Sequence, residues 1–243
     1  MTATETRAAR VIAGSDTWAI DLNQHSHGFT SSDTLNETNE PASERRWVER
    51  LLTEYSRTIS VPVVFYGEAT EALAPRTNGV SLLVLGDAGA EQGWLGGSAT
   101  WISIPRVAPQ SGIVSGGVEF MQREAWATGR VAVPFTFQSE ITGDNPRPAI
   151  TSVTLPTFPN TSTAYLAVTG KTVSGNRVLT VSDGTDNVAI TFPSVGVRKV
   201  ELSTLTNNID SGTVTVAELT GDNTISGYFV AGTEYTIPSG VLT

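Results

Sequence analysis

The sequence predicts a mainly β protein: an N-terminal antiparallel β-sandwich or barrel flanked by one α-helix, followed by a C-terminal β-sandwich. Three observations carry this expectation. The apolar runs are short and strand-sized, the longest being Val61–Phe65 and Val80–Leu85. Gly, Asn and Asp punctuate the chain beyond residue 149 at the spacing of short hairpins. One segment alone, Asn39–Tyr55, keeps a helical period.

That segment has Pro41 and acidic residues at its start, as suits a helix N-terminus. Trp47, Leu51 and Tyr55 fall on one face, with Val48 and Leu52 beside them, while Glu44, Arg45, Glu49, Arg50 and Glu54 stay on the wet side. Strands are expected at Ser60–Tyr66, with Pro62 at an edge or first turn, and at Gly79–Gly86. Further strands are expected at Ala99–Pro105, Gly117–Arg123 and Arg130–Phe137, the last with Val131, Val133, Phe135 and Phe137 on one face.

The second half reads as about seven short strands, at Thr151–Leu155, Ala164–Thr169, Arg177–Ser182, Val188–Phe192, Arg198–Leu202, Gly212–Leu219 and Ile225–Phe229. Composition shifts near residue 148. All five Trp and both His precede it, and Thr142–Pro148 carries two prolines and a Gly-Asp-Asn turn, the composition of a linker. The expected domains are therefore 1–145 and 149–243.

Net charge is −9 and cysteine is absent, which excludes a disulfide framework, thiolate metal sites and cysteine nucleophiles. No basic footprint for nucleic acid is present. Met1–Arg10 is not followed by the apolar run of a signal peptide, and no stretch approaches the roughly 18 apolar residues of a membrane helix. The expectation is a soluble protein made in a cytoplasm, with no membrane insertion.

No enzyme signal emerges from the residues. His25 and His27 could share one side of a strand, but there is neither a third His nor a Cys to complete a metal site. The Gly-rich run Gly86–Gly97 lacks the Lys-Ser/Thr of a phosphate-binding loop and reads as a loop offering Trp94 and Leu95 to a neighbouring surface or to their own core. Glu68 and Glu71 read as a solvated turn. Asp183 and Asp186 lack the remaining ligands of a calcium loop and read as a hairpin turn. No catalytic residue, metal or cofactor is assigned.

The order of features carries a resemblance. A polar stretch at 23–34 is followed by Thr58–Gly67, Ser81–Gly86, Gly116–Phe120 and Gly129–Gln138, and then by Ser162–Gly170 and Arg198–Leu202. This layout resembles the major tail tube protein of tailed bacteriophages and related archaeal viruses, with an appended immunoglobulin-like β-sandwich module. The resemblance implies a tail-tube-like fold for 1–145 and a structural role in the virion tail, with synthesis in the host cytoplasm. It implies homohexameric rings that stack into a tube, capped by other tail proteins, with a tape-measure protein inside and DNA passing without specific binding. It makes His25, His27, Phe29, Trp94 and Leu95 candidate assembly contacts, and Glu119 and Glu124 candidate lumen carboxylates that repel phosphates. A carbohydrate-binding adhesin with a β-sandwich binding module and a capsid decoration protein are the alternative readings.

Overall fold

The computed structural model describes residues 7–21, 30–40, 49–65, 80–87, 94–103, 106–107, 114–123, 126–206, 212–217, 219–234 and 241–242. Its strands are β1 (Arg7–Ser15), β2 (Trp18–Asp21), β3 (Thr30–Glu40), β4 (Glu49–Phe65), β5 (Val80–Asp87), β6 (Trp94–Ser103), β7 (Arg106–Val107), β8 (Val114–Gln122) and β9 (Ala127–Gln138). They continue as β10 (Ser152–Thr154), β11 (Thr163–Lys171), β12 (Arg177–Ser182), β13 (Asn187–Phe192), β14 (Gly196–Val200), β15 (Thr213–Val216), β16 (Thr224–Glu234) and β17 (Val241–Leu242).

Every ladder is antiparallel. The main path of the larger sheet runs β14-β11-β16-β9-β6-β5-β1-β2 and curls until its ends meet, giving a nearly closed barrel. The meeting point has no backbone ladder and is closed by small residues and polar contacts. A side chain at Gly14 would stand 2.7 Å from Val197 Cγ2, and one at Gly196 would stand 2.8 Å from the Ser15 carbonyl. Arg198 Nη2 donates to the Asp16 carbonyl at 3.2 Å, and Ser194 Oγ donates to the Thr17 carbonyl at 2.5 Å.

Alternation along the barrel strands feeds two cores at once. On β11, Tyr165 and Ala167 point into the barrel with Ile12, Leu83, Leu85, Ala127, Val197 and Val230. Ala164, Leu166 and Val168 point outward, under a four-stranded sheet ordered β10-β15-β12-β13. That outer core holds Phe135 stacked on Phe137 at 4.8 Å and Phe158 tilted on Phe229 at 5.4 Å. Each such ring removed from water is worth about 1.5–3 kcal/mol. Among the described residues the barrel interior is therefore filled by its own side chains.

The solvent face of the four-stranded sheet is uncharged. Registered rows place Thr154, Thr213, Ser182 and Asn187 side by side, then Ser152, Thr215, Thr180 and Ala189.

The predicted flanking helix over Asn39–Tyr55 is not present, and among the described residues there is no α-helix. Residues 39–40 close β3, residues 49–55 open β4, and the two strands pair from Thr30↔Ser60 to Glu40↔Glu49. The physical reason lies in a register shift between Asn36 and Glu37. A bulge lets two residues of one strand oppose one of the other. The adjacent Leu51 and Leu52, which break a period of two and so suggested a helix, fall just beside it. Pairing with a partner far from the local segment overrides its weak helical preference.

The Thr142–Pro148 stretch is a tied loop. Ile141 and Arg147 exchange backbone hydrogen bonds at 3.0 Å, and Gln138 and Ile150 do so at 2.9 Å. Arg147 Nε further donates to the Ser139 carbonyl at 3.2 Å, and its Nη2 pairs with Asp222 Oδ1 at 2.5 Å.

Candidate assembly surface

Strand β6 is the branch point of the large sheet. Its first residues, Trp94–Gly96, pair with Gly129–Ala127 of β9 and keep the barrel running. Its last, Ala99–Ser103, pair with Gln122–Glu119 of β8 and lead the sheet away from the barrel. Between them lies a close approach that only glycine allows. A side chain at Gly97 would stand 2.7 Å from Trp126 Cδ1. Trp126 is buried, and its Nε1–H donates to the Ser98 carbonyl at 2.8 Å. Beneath lie Val80, Leu82, Val84, Ala99, Ile59 and Phe120.

Beyond the branch, β8 pairs with Thr58–Phe65 of β4, and β3 covers the other edge of β4. The β3–β4 ladder continues past the end of β8 to Glu49, forming an arm. At roughly 3.3 Å per residue, the 17-residue β4 measures about 55 Å. The described strands of the arm carry five acidic residues (Asp33, Glu37, Glu40, Glu49, Glu54) against Arg50 and Arg57. In register, Asp33 lies opposite Arg57 and Glu40 opposite Glu49. The C-terminal β17 pairs with this outer end, Val241↔Leu51 and Leu242↔Arg50.

Opposite the Phe120 face, β8 places Glu119 in register with Ser60 and Ser103, and Met121 in register with Thr58 and Thr100. Arg123 follows on the same side, exposed, its backbone N–H donating to the Ser98 carbonyl at 3.1 Å. This face is rich in hydroxyls, with one carboxylate and one guanidinium at its described end. Met121 on this face is 38% exposed.

Of the candidate residues, His25, His27, Phe29 and Glu124 lie outside the described residues. Trp94 and Leu95 lie in β6, in register with Leu85 and Val84 on one side and with Gly129 and Thr128 on the other. The expected loop at Gly86–Gly97 is thus strand at Gly86–Asp87 and again from Trp94 onward, and Gly96 and Gly97 serve close packing. Sequence reasoning missed the Gly97–Trp126 contact and the Arg198–Asp16 contact. The signal for the first was the Gly96-Gly97 pair just before an apolar strand; the second left none.

Among the described residues no cluster of three His, Cys, Asp or Glu could hold a metal ion. Asp183 Oδ1 accepts from the Thr185 and Asp186 amides at 2.8 and 2.7 Å, closing a hairpin turn, and Asp186 Oδ2 accepts from the Thr206 amide at 3.1 Å. A groove of about 320 Å³ at the barrel seam is lined by Ser15, Asp16, Val80, Ser81, Ser98 and Val197. Its one carboxylate, on Asp16, is 75% exposed and lies 3.8 Å from Arg198 Nε. No described helix is long and apolar enough to cross a membrane.

No family model matches the chain, and no curated protein matches it. Among solved structures, it is similar to a chain in the virion of a native gene transfer agent particle. That similarity has a TM-score of 0.36 and 14% identity, covering 49% of this chain and 95% of that one. It is also similar to the SPP1 Dit protein (gp 19.1), described as a paradigm of the hub adsorption apparatus in phages infecting Gram-positive bacteria. There the TM-score is 0.33 and the identity 9%, covering 95% of this chain and 100% of that one.

Proposed function

We propose that this chain is a non-enzymatic structural protein of a virion tail, made in the host cytoplasm, that polymerises as stacked hexameric rings into a tube for genome delivery. The observation that carries this reading is the arm. It extends β4 well past the core that anchors it, and among the described residues β4 is the one ladder partner of β3. A long open edge of this kind is an aggregation hazard in a monomer and an asset in an ordered assembly, where neighbours pair it.

The filled barrel adds a constraint: a channel in this reading runs between copies and not through one of them. The face bearing Glu119 is the candidate lining, where the Glu119 carboxylate repels DNA phosphates and Arg123 is the one described cation. Glu124 is the second candidate there. His25, His27, Phe29, Trp94 and Leu95 stand as candidate contacts between copies. The four-stranded layer within residues 149–243, β10-β15-β12-β13, faces outward. Other tail proteins cap the tube, and a tape-measure protein occupies it before DNA does.

The test is negative-stain electron microscopy of concentrated protein at several salt levels, with light scattering for mass. Hollow tubes or stacked six-fold rings are expected. A chain that stays monomeric at every concentration and is retained on a glycan array would overturn the reading in favour of an adhesin. Discrete trimers or other closed small oligomers would favour a decoration protein instead.

A further inference from the structure

The C-terminal strand occupies an unusual place. β17 is held to the arm by two residue pairs, Val241↔Leu51 and Leu242↔Arg50, whereas the opposite edge of β4 is held to β3 by eleven. On the β17 side, β8 pairs with β4 only from Thr58 onward. The backbone of Leu52–Arg57 between them has no ladder partner on that edge among the described residues. A short, weakly held strand therefore sits at the outer end of an otherwise open edge.

We propose that β17 is an exchangeable strand: in the assembled state it leaves its own arm and pairs in the same register with β4 of a second copy of this chain. The occupant of the edge is fixed by the fold itself, because the intramolecular ladder already shows which segment fits it. Exchange preserves the same contacts and costs little more than the freedom of the connection, which is the reason identical elements swap readily between protomers. Six residues separate Glu234, paired to Ala127 in the barrel, from Val241. A copy that donates its strand to one neighbour and accepts a strand from another makes a head-to-tail contact, which gives a ring where the rotation closes. This inference rests on the self-assembly proposed above.

The absence of cysteine gives a clean background for the test. Residues directly opposite in an antiparallel ladder have Cα atoms about 4.5–5.5 Å apart, within the roughly 4.4–6.8 Å that a disulfide spans. The double variant L51C/V241C, oxidised while dilute, should close within one chain. Circular dichroism then checks that its fold is kept. Locked in this way it should lose assembly, and reductant should restore it.

In parallel, the single variants L51C and V241C are mixed, concentrated until tubes or rings form, and oxidised. Covalent dimers joining position 51 of one chain to 241 of another are expected in the assembled fraction alone. Assembly of the locked variant at the wild-type level would overturn strand exchange while leaving the tube reading intact. Failure of the assembled single variants to cross-link would do the same. A wild-type chain that never self-associates would overturn both.

Discussion

Gly97→Ala probes the joint between barrel and arm. The added methyl would meet Trp126 Cδ1 at 2.7 Å and Trp126 Cα and Cγ at 3.3 Å. The ring cannot swing aside cheaply, since it is 1% exposed and its N–H is engaged by the Ser98 carbonyl at 2.8 Å. Overpacking against so constrained a neighbour costs about 1–3 kcal/mol. Trp126→Ala alone should cost about 3–5 kcal/mol. In the double variant the methyl enters the space the indole has left, so the part of the cost owed to Cδ1 and Cγ is relieved, while the part owed to the Gly97 φ of +158° and the Trp126 Cα at 3.3 Å remains. The coupling is that relieved part, about 1 kcal/mol or more, above the roughly 0.5 kcal/mol scatter of independent sites. Urea unfolding of the four proteins by far-ultraviolet circular dichroism measures it, provided the m-value stays constant. Trp126→Leu substitutes if the Ala variant does not fold. Strict additivity would refute the contact as the reason for glycine at this position.

Four further outcomes are expected. Asp16→Asn should change stability by less than about 0.5 kcal/mol, because its carboxylate is 75% exposed and lies 3.8 Å from Arg198 Nε. Arg198→Leu should cost more, since it loses the bond to the Asp16 carbonyl and the guanidinium over Phe192; urea midpoints at two salt levels separate them. Ser139→Ala should cost about 1–3 kcal/mol in the same assay. The Ser139 hydroxyl is buried, donates to the Gly221 carbonyl and accepts from the Asn223 amide at 3.2 Å. Burial first, and Arg177 second, hold Lys171 below its ordinary pKa of 10.5. Between its folded value and 10.5 the unfolded chain binds more protons, so stability should rise with pH across that window. Lys171→Met should flatten the rise in urea midpoints towards pH 10.5, and an unchanged slope would contradict the assignment.

The sequence was most legible where alternation and turn chemistry agree. Arg177–Ser182 forms a strand with the expected bounds, with Leu179 and Val181 inward, because flanking Gly, Asn and Asp turns leave little freedom of register. Glu49–Tyr55 was misread because its hydrogen bonds go to β3, a partner that local spacing cannot reveal, and because a bulge disturbs its alternation. Closure of the barrel was hidden for a related reason. Gly14 and Gly196 lie far apart in sequence, and each is mute about the other until the sheet curls. Of the candidate site, Glu119 was legible as a residue of an alternating strand. The arm that gives its surroundings meaning was not.

The double burial of β11 also bears on how this protein can vary over time. Five successive residues, Ala164–Val168, are all inaccessible, alternately serving the barrel and the layer outside it. A strand with one wet face offers every second position to drift, whereas this stretch offers none. The neutral variation of a lineage should gather instead on Ser152, Thr154, Asn187, Ala189 and Thr191, which answer only to water. Close relatives should therefore differ most across that outer face and least along Ala164–Val168, even where their overall similarity is faint.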